Sequence, residues 1–436
     1  MKRRPELRIG IVILALGAVS AGLPEARALS IDVSRMNPEQ QLGARLFFDA
    51  SLSHPAGQSC GSCHAPSAAF TDPDKRAPTS KGVDPTLFGS RNAPTAGYAA
   101  FSPTFQYDKE EGLWIGGQFL DGRAATLEDQ AKGPFVNPVE MANPDKASVI
   151  EKLRNGENAE LFRQVYGPQS LDNVESAYNL LAHAIAVFER TDVLSPFSSK
   201  YDAYLDGRAS LTEQELNGLR LFEDPMKGNC AACHPSQPSP SGAKPLFTDF
   251  TYDNLGVPRN PHNPFYSMAP AFNPEGRNFI DTGLGKTTGD PGDDGKFKVP
   301  TLRNLALTGP FMHNGYFVTL EGVVDFYNTR DVKKPCVDPF TSEADALRLE
   351  CWPAAEVGAN VNVDELGNLG LLRSEVLDIV AFLETLTDGF RVPEPGTLAL
   401  LGAGLMALGA RRRRATPEAR RRRATPGARH RRATPG

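Results

Sequence analysis

The 436-residue sequence is poor in cysteine, histidine and tryptophan, with six, seven and two of them. So few cysteines in so long a chain exclude a small scaffold stapled by disulfides. No stretch reads as a full membrane span of roughly 20 apolar residues; the runs from Ile9 to Gly22 and from Gly396 to Ala410 both fall short. A strong excess of one charge sign also looks absent, because 47 Lys and Arg against 52 Asp and Glu leave a net charge of −5. That balance is deceptive. Residues 411–436 hold 11 Arg and one Glu, and residues 1–28 hold five basic and two acidic residues, so the body between them carries −18. An acidic body attracts a basic partner and steers its approach, and it argues against nucleic acid as that partner. The roughly 360 residues between the ends suffice for two domains of common size.

Four of the six cysteines stand in two copies of one spacing, Cys60-Gly61-Ser62-Cys63-His64 and Cys230-Ala231-Ala232-Cys233-His234. CxxCH is the attachment signature of a c-type haem: the thiols add to its vinyl groups and the adjacent imidazole ligates the iron. A zinc half-site or a redox CxxC is the competing reading. A tetrathiolate zinc site, however, needs no histidine after each pair, and here the residues leading into the motifs repeat as well. Glu39, Gln40, Leu42, Gly43, Arg45, Leu46 and Phe47 precede the first; Glu213, Gln214, Leu216, Gly218, Arg220, Leu221 and Phe222 precede the second. One short helix packed on one haem is thus written twice. The repeat predicts a mainly helical chain of two cytochrome c-type domains, each enclosing one covalently bound haem, with His64 and His234 as the proximal ligands.

Residues 1–28 read as a secretory leader, with Lys2, Arg3 and Arg4, then an apolar run, then Ala26-Arg27-Ala28 as the cleavage site. The reading places the protein outside the cytoplasm, in the periplasm or at the cell surface. Export permits disulfides, and Cys336 with Cys351 is the expected pair, contributing about 3 kcal/mol if unstrained. The first domain is placed at 29–197 and the second at 205–391, with Ser195 to Arg208 as the linker. Helices are expected around Asn37 to Phe48, from Asp172 to Thr191 behind a capping box of Asp172 and Glu175, and from Leu372 to Asp388. The long Pro-, Ser- and Gly-rich stretch from Ala65 to Thr104 reads as irregular chain wrapped round a cofactor. His54 and His183 read as loop and helix histidines without a ligand role. At the far end, Pro393-Glu394-Pro395, the apolar Gly396 to Ala410 and Arg411 to Arg414 follow one another. This order over 392–414 resembles the PEP-CTERM sorting signal, which implies handling by a membrane-bound sorting enzyme. The Arg-rich repeats of 415–436 are low-complexity.

Between the haem motifs run Gly117-Gln118-Phe119-Leu120-Asp121-Gly122-Arg123, Leu127-Glu128-Asp129-Gln130-Ala131, Pro134 and Asn137-Pro138-Val139-Glu140-Met141. The second domain adds Val299-Pro300-Thr301-Leu302-Arg303-Asn304 and Thr308-Gly309-Pro310-Phe311-Met312-His313-Asn314-Gly315. From about Gln41 to Thr387 this resembles the bacterial di-haem cytochrome c peroxidases and the MauG group. The resemblance implies that Glu140 is the distal acid/base of the first haem, with Gln130 as its hydrogen-bonding neighbour and Pro134 in the same pocket. Chemistry supports Glu140 independently, because splitting an O–O bond requires a shielded group that carries a proton from one oxygen to the other. A helix-initiating carboxylate after Asn137-Pro138 is the competing reading. The resemblance also implies Tyr327 as the second axial ligand of the His234 haem, with Met312 and Met268 as alternatives, and a Ca2+ ion held by Asn92, Thr308 and Pro310.

Two departures shape the functional expectation. Reductively activated members carry a distal histidine after the first motif, and none occurs between His64 and Gly122. The first haem is therefore expected to be open to peroxide in its oxidised state. Leu120 stands where the relatives place a tryptophan between the haems; Trp114 is the nearest substitute. The reading is a peroxidase reducing hydrogen peroxide to water with electrons from a small cytochrome c or cupredoxin. MauG-like oxidation of residues in a partner protein and a non-catalytic surface electron-transfer cytochrome are the alternatives.

Overall fold

The computed structural model describes residues 31–392. The leader 1–28, the sorting segment beyond its first residue and the tail 415–436 therefore lie outside the described residues. The described chain is mainly helical, with three two-stranded ladders, and none of its helices is long and apolar enough to cross a membrane.

Each half is built on one crossing of two helices. In the first, Asn37 caps the helix Pro38–Phe47 by accepting the Gln40 N–H at 2.9 Å, while the Gln40 side chain accepts the Asn37 N–H at 3.0 Å. Proline at the first helical position loses no bond there. This helix packs across Val174–Glu189 at Gly43, where a Cβ would overlap the Ala184 carbonyl and crowd Phe188. The second half repeats the device. Thr212 and Glu215 cap Glu213–Glu223, which crosses Arg373–Glu384 at Gly218, and a Cβ there would overlap the Asp378 carbonyl and crowd Phe382. Glycine is thus the residue that lets two backbones touch.

Around the first crossing Leu42, Leu46, Phe47, Phe135, Leu181 and Phe188 form one apolar cluster. A second gathers Tyr201, Phe222, Phe247, Ile379 and Phe382. A third, of Phe317, Phe326 and Trp352, adjoins the Cys336–Cys351 disulfide. Ala65 to Thr104 is irregular apart from short turns at Pro66–Ala68 and Ala99–Phe101.

Two details differ from the sequence reading. The long helix is capped by Asn173, which accepts from the Ser176 N–H, and not by Asp172, whose own N–H closes the preceding turn on the Gln169 carbonyl. The expected linker is also no loose tether. It contains the helix Lys200–Leu205, and Asp202 forms a fully buried bidentate pair with Arg303 at 2.9 and 3.0 Å. Asp388 draws in Ser198, Asn304 and Tyr98 through bonds of 2.8 to 2.9 Å. Arg91 likewise ties Asp121 to Asp281, at 2.7 and 2.6 Å. Losing one member of such a buried set strands the other's charge.

Gly43→Ala and Gly218→Ala are each expected to lower stability by about 1–3 kcal/mol or more through overpacking, whereas Gly358→Ala, with open space around it, serves as the neutral control in urea unfolding. A second prediction concerns Glu189, which is 5% exposed with its Oε2 unpartnered among the described residues. Burial pushes its carboxyl from 4.5 up to about 8, with Arg190 opposing and Glu128 reinforcing the shift. The folded protein thus keeps a proton that the unfolded chain releases, and stability falls as pH rises through that window. Glu189→Gln is expected to match the parent at about pH 4 and to exceed it progressively up to about pH 9. An equal pH slope for the two proteins refutes the assignment.

Candidate functional site

Cys60–Cys63 is a single helical turn, and Cys230–Ala232 a 3-10 turn running into Cys233. A turn of either kind brings residues three apart to one side, as a paired attachment requires. All four thiols are free. His64 and His234 follow at the turn ends, each with its Nδ1 on a backbone carbonyl: Phe70 O at 3.0 Å and Phe247 O at 2.7 Å. Such a bond fixes Nδ1 as the donor and leaves Nε2 as a lone-pair ligand. Burial pushes the His64 imidazole down and that of His234 down to about 4. Both rings are therefore neutral, the form that binds a metal.

The accepting carbonyls were not singled out from sequence, although a signal was present. Phe70-Thr71-Asp72 and Phe247-Thr248-Asp249 are a second repeated triplet. Both phenylalanines hold left-handed backbone, φ 60° and 54°. The threonines fasten the two turns, Thr71 to Ala68 O at 2.9 Å and Thr248 to Val299 O at 2.6 Å.

A cavity of about 300 Å³ is lined by Cys230, Cys233, His234, Phe222 and Tyr327. Burial, and after it the two cysteines, hold the Tyr327 phenol well above its ordinary range, so it ionises there only with a cation close by. Met312 also lines this cavity, whereas Met268 does not; its sulfur accepts the Phe88 N–H at 3.3 Å. His313, 7% exposed, stacks on Phe297 at 3.7 Å, and its Nε2 lacks a hydrogen bond among the described residues. Asn92, Thr308 and Pro310 come to the same wall, and the Asn92 N–H donates to His313 O at 2.7 Å. Leu120 lines it too, its carbonyl accepting the Lys298 N–H at 2.8 Å. Trp114 stacks on Phe105 at 4.7 Å, away from that wall. Paired thiols outside any disulfide, an imidazole held through Nδ1 and an apolar cavity fit a covalently held haem.

A second cavity is lined by Glu140, Asn137, Pro134, Arg123, Asp129 and Phe119 with small residues; no histidine lies among them, and neither do Cys60 and Cys63. Pro134 lies inside the helix Leu127–Val136, and Glu140 in the turn beyond its end. No helix begins at Glu140, which sets aside the helix-initiating reading. Burial raises its carboxyl above the ordinary range, opposed by the Arg123 charge and by the Asn137 amide, which donates to Oε1 at 2.7 Å. Gln130, one turn before Pro134, does not line this cavity. Arg123 does, and sequence reasoning had given it no role.

Comparison with known proteins agrees with this geometry. The sequence profile of the di-haem cytochrome c peroxidase family matches residues 37–210, and that of the PEP-CTERM protein-sorting motif matches 391–414. Methylamine utilization protein MauG of Paracoccus denitrificans is 39% identical over 389 residues, covering 87% of this chain and 94% of that protein. Cytochrome c551 peroxidase of Nitrosomonas europaea is 32% identical over 326 residues, covering 73% of this chain and 83% of that protein. The crystal structure of the diheme peroxidase BthA from Burkholderia thailandensis superposes with a TM-score of 0.67 at 35% identity, covering 80% of this chain and 86% of that one. A twice-written thiol and imidazole site, a half-buried carboxylate in a separate cavity and kinship over most of the chain lead to one conclusion: the protein belongs to the di-haem cytochrome c peroxidase and MauG family, oxidoreductases that act on hydrogen peroxide, and carries a PEP-CTERM sorting motif.

Proposed function

We propose that the two halves, 29–197 and 205–391, are cytochrome c-type domains, the first reducing peroxide and the second exchanging electrons. Cys60, Cys63 and His64 would hold one c-type haem; Cys230, Cys233, His234 and Tyr327 would hold the other. When bound, the first haem supplies a redox-active iron at which hydrogen peroxide takes up two electrons. Glu140 takes a proton from one peroxide oxygen and returns it to the other, and the Asn137 amide keeps the carboxylate pointed. Gln130, one turn before Pro134 on the same helix, is the second positioning group of this reading, beside Asn137. What supports this reading most is one observation: a half-buried carboxylate of raised proton affinity, held by the Asn137 amide, in a small cavity lined by no histidine.

The electron donor that fits an acidic body is a small basic redox protein. Oxidation of residues in a partner protein is the second reading, favoured by Tyr327, since a phenolate ligand stabilises ferric iron where a thioether favours the ferrous state. A Ca2+ ion is assigned to Asn92 and the carbonyls of Thr308 and Pro310, oxygen donors of the kind calcium takes. The sorting motif supports export to the periplasm or cell surface, with attachment to the membrane through 392–414.

Glu140→Gln is expected to lower kcat/KM for peroxide about 10²–10⁴-fold with the ferric absorption spectrum unchanged; full activity overturns the assignment. The groups facing Glu140 are Arg123, Asp129 and Asn137. Because burial outweighs Arg123 and Asn137, kcat/KM should rise with pH along a limb whose midpoint lies above 4.5. Tyr327→Met should raise the potential of the second haem and change its low-spin spectrum, and an unaltered spectrum excludes Tyr327 as ligand.

A further inference from the structure

The peroxide pocket contains a charged group for which the proton-transfer scheme has no use. Arg123 lines the same cavity as Glu140. Its guanidinium lies over the Phe119 ring, 3.6 Å from the centroid, and its Nη1 donates to Asp121 Oδ1 at 2.8 Å. The other Asp121 oxygen is taken by Arg91 at 2.7 Å, and Arg91 also holds Asp281. One carboxylate is therefore shared between two guanidiniums, and Arg123 keeps charge and N–H donors to offer elsewhere.

The backbone makes this placement rigid. Phe119 has φ 61°, and Gly122 at φ 71° packs so closely on Phe105 and the Tyr252 hydroxyl that a Cβ there would clash. The chain turns sharply before Arg123, and the stacked ring and shared carboxylate hold its guanidinium at the cavity's mouth, where the side chain is 45% exposed. A group so held needs little reorganisation when charge develops beside it.

We infer that Arg123 is a second catalytic side chain of the peroxide pocket, an anion-attracting guanidinium that hydrogen-bonds peroxide opposite Glu140 and stabilises the departing oxygen as the O–O bond breaks. The inference rests on the assignment of Glu140 above. In the reaction, hydrogen peroxide gains two electrons from the redox partner and two protons from solvent and leaves as two waters. The O–O bond is the bond broken. Negative charge gathers on the departing oxygen until Glu140 delivers the proton it removed from the other one, and it is this charge that a fixed cation stabilises. The draw that Arg123 exerts on the Glu140 carboxyl, opposing burial, agrees with the two groups facing one space.

The experiment compares Arg123→Met and Arg123→Lys with the parent, as full chains loaded with haem. Fluoride affinity of the oxidised protein reads the cation, carbon monoxide affinity of the reduced protein is the uncharged control, and kcat/KM for peroxide reads catalysis. Arg123→Met should bind fluoride at least about 10-fold more weakly and lose about 10²–10³-fold in kcat/KM, with carbon monoxide affinity unchanged; Arg123→Lys should restore most of the fluoride affinity. Unchanged fluoride affinity in Arg123→Met overturns the inference. So does an equal loss of fluoride and carbon monoxide binding, which marks a merely structural clamp on Asp121. Fluoride that fails to bind the parent shows a closed first haem and overturns both readings. A fully active Glu140→Gln with an Arg123-dependent fluoride affinity overturns the Glu140 assignment and leaves Arg123 as the anion-binding group.

Discussion

The bond from an imidazole Nδ1 to a backbone carbonyl, made at His64 and again at His234, is the interaction on which the rest of this structure depends. A histidine can ligate iron only as a neutral ring with a free lone pair, and a buried carbonyl that accepts the other nitrogen's proton enforces that state. Each carbonyl must be presented at the right height by strained, left-handed backbone, and each turn must be fastened by its threonine. The turns in turn rest on a helix crossing where glycine allows two backbones to touch. Cysteines, histidine, turn and crossing therefore form one mechanical unit, present twice.

The cavities associated with the two halves differ in the residues that line them, and the proposed division of labour follows from that difference. In the second, Tyr327 lines the cavity that His234 faces, in a setting so apolar that its phenol resists ionisation unless a cation stands nearby. In the first, Glu140, Asn137 and Arg123 surround a space without a histidine. On the proposed reading, Tyr327 would close the second iron and the space beside Glu140 would admit a small polar molecule to the first. Buried pairs such as Arg91 with Asp121 and Asp281, and Arg303 with Asp202, hold the halves in register.

Much of this was legible in the sequence, and the reason is local. CxxCH is contiguous, the helix before each copy repeats, and a disulfide between the two remaining cysteines follows from export, so residue order alone carries them. Tyr327 and Glu140 emerged through family resemblance; Tyr327 lines one cavity with Cys230, Cys233 and His234, and Glu140 lines a smaller one that the first haem motif does not reach. What escaped depends on contacts between distant segments. Arg123 gains meaning only when Phe119 and Asp121 hold it beside Glu140, and His313 only when it packs on Phe297. The cap fell on Asn173 because the Asp172 N–H closes the preceding turn. Gln130 lies four residues before Pro134, on the helix face that Pro134 shares, but is not among the residues lining the cavity beside Glu140. The repeated Phe-Thr-Asp triplet was visible in the sequence, and its role becomes clear only once the histidine bonds are seen.

The asymmetry of the two iron sites is the central claim, and the electron paramagnetic resonance spectrum of the oxidised full-length protein, as purified, tests it most directly. The account predicts one high-spin ferric signal from the His64 haem and one low-spin signal from the His234 haem, in equal amounts, with stoichiometric peroxide consuming the high-spin signal without prior reduction. Two low-spin signals that ignore peroxide until one haem is reduced would contradict it, because the first iron would then carry a sixth protein ligand.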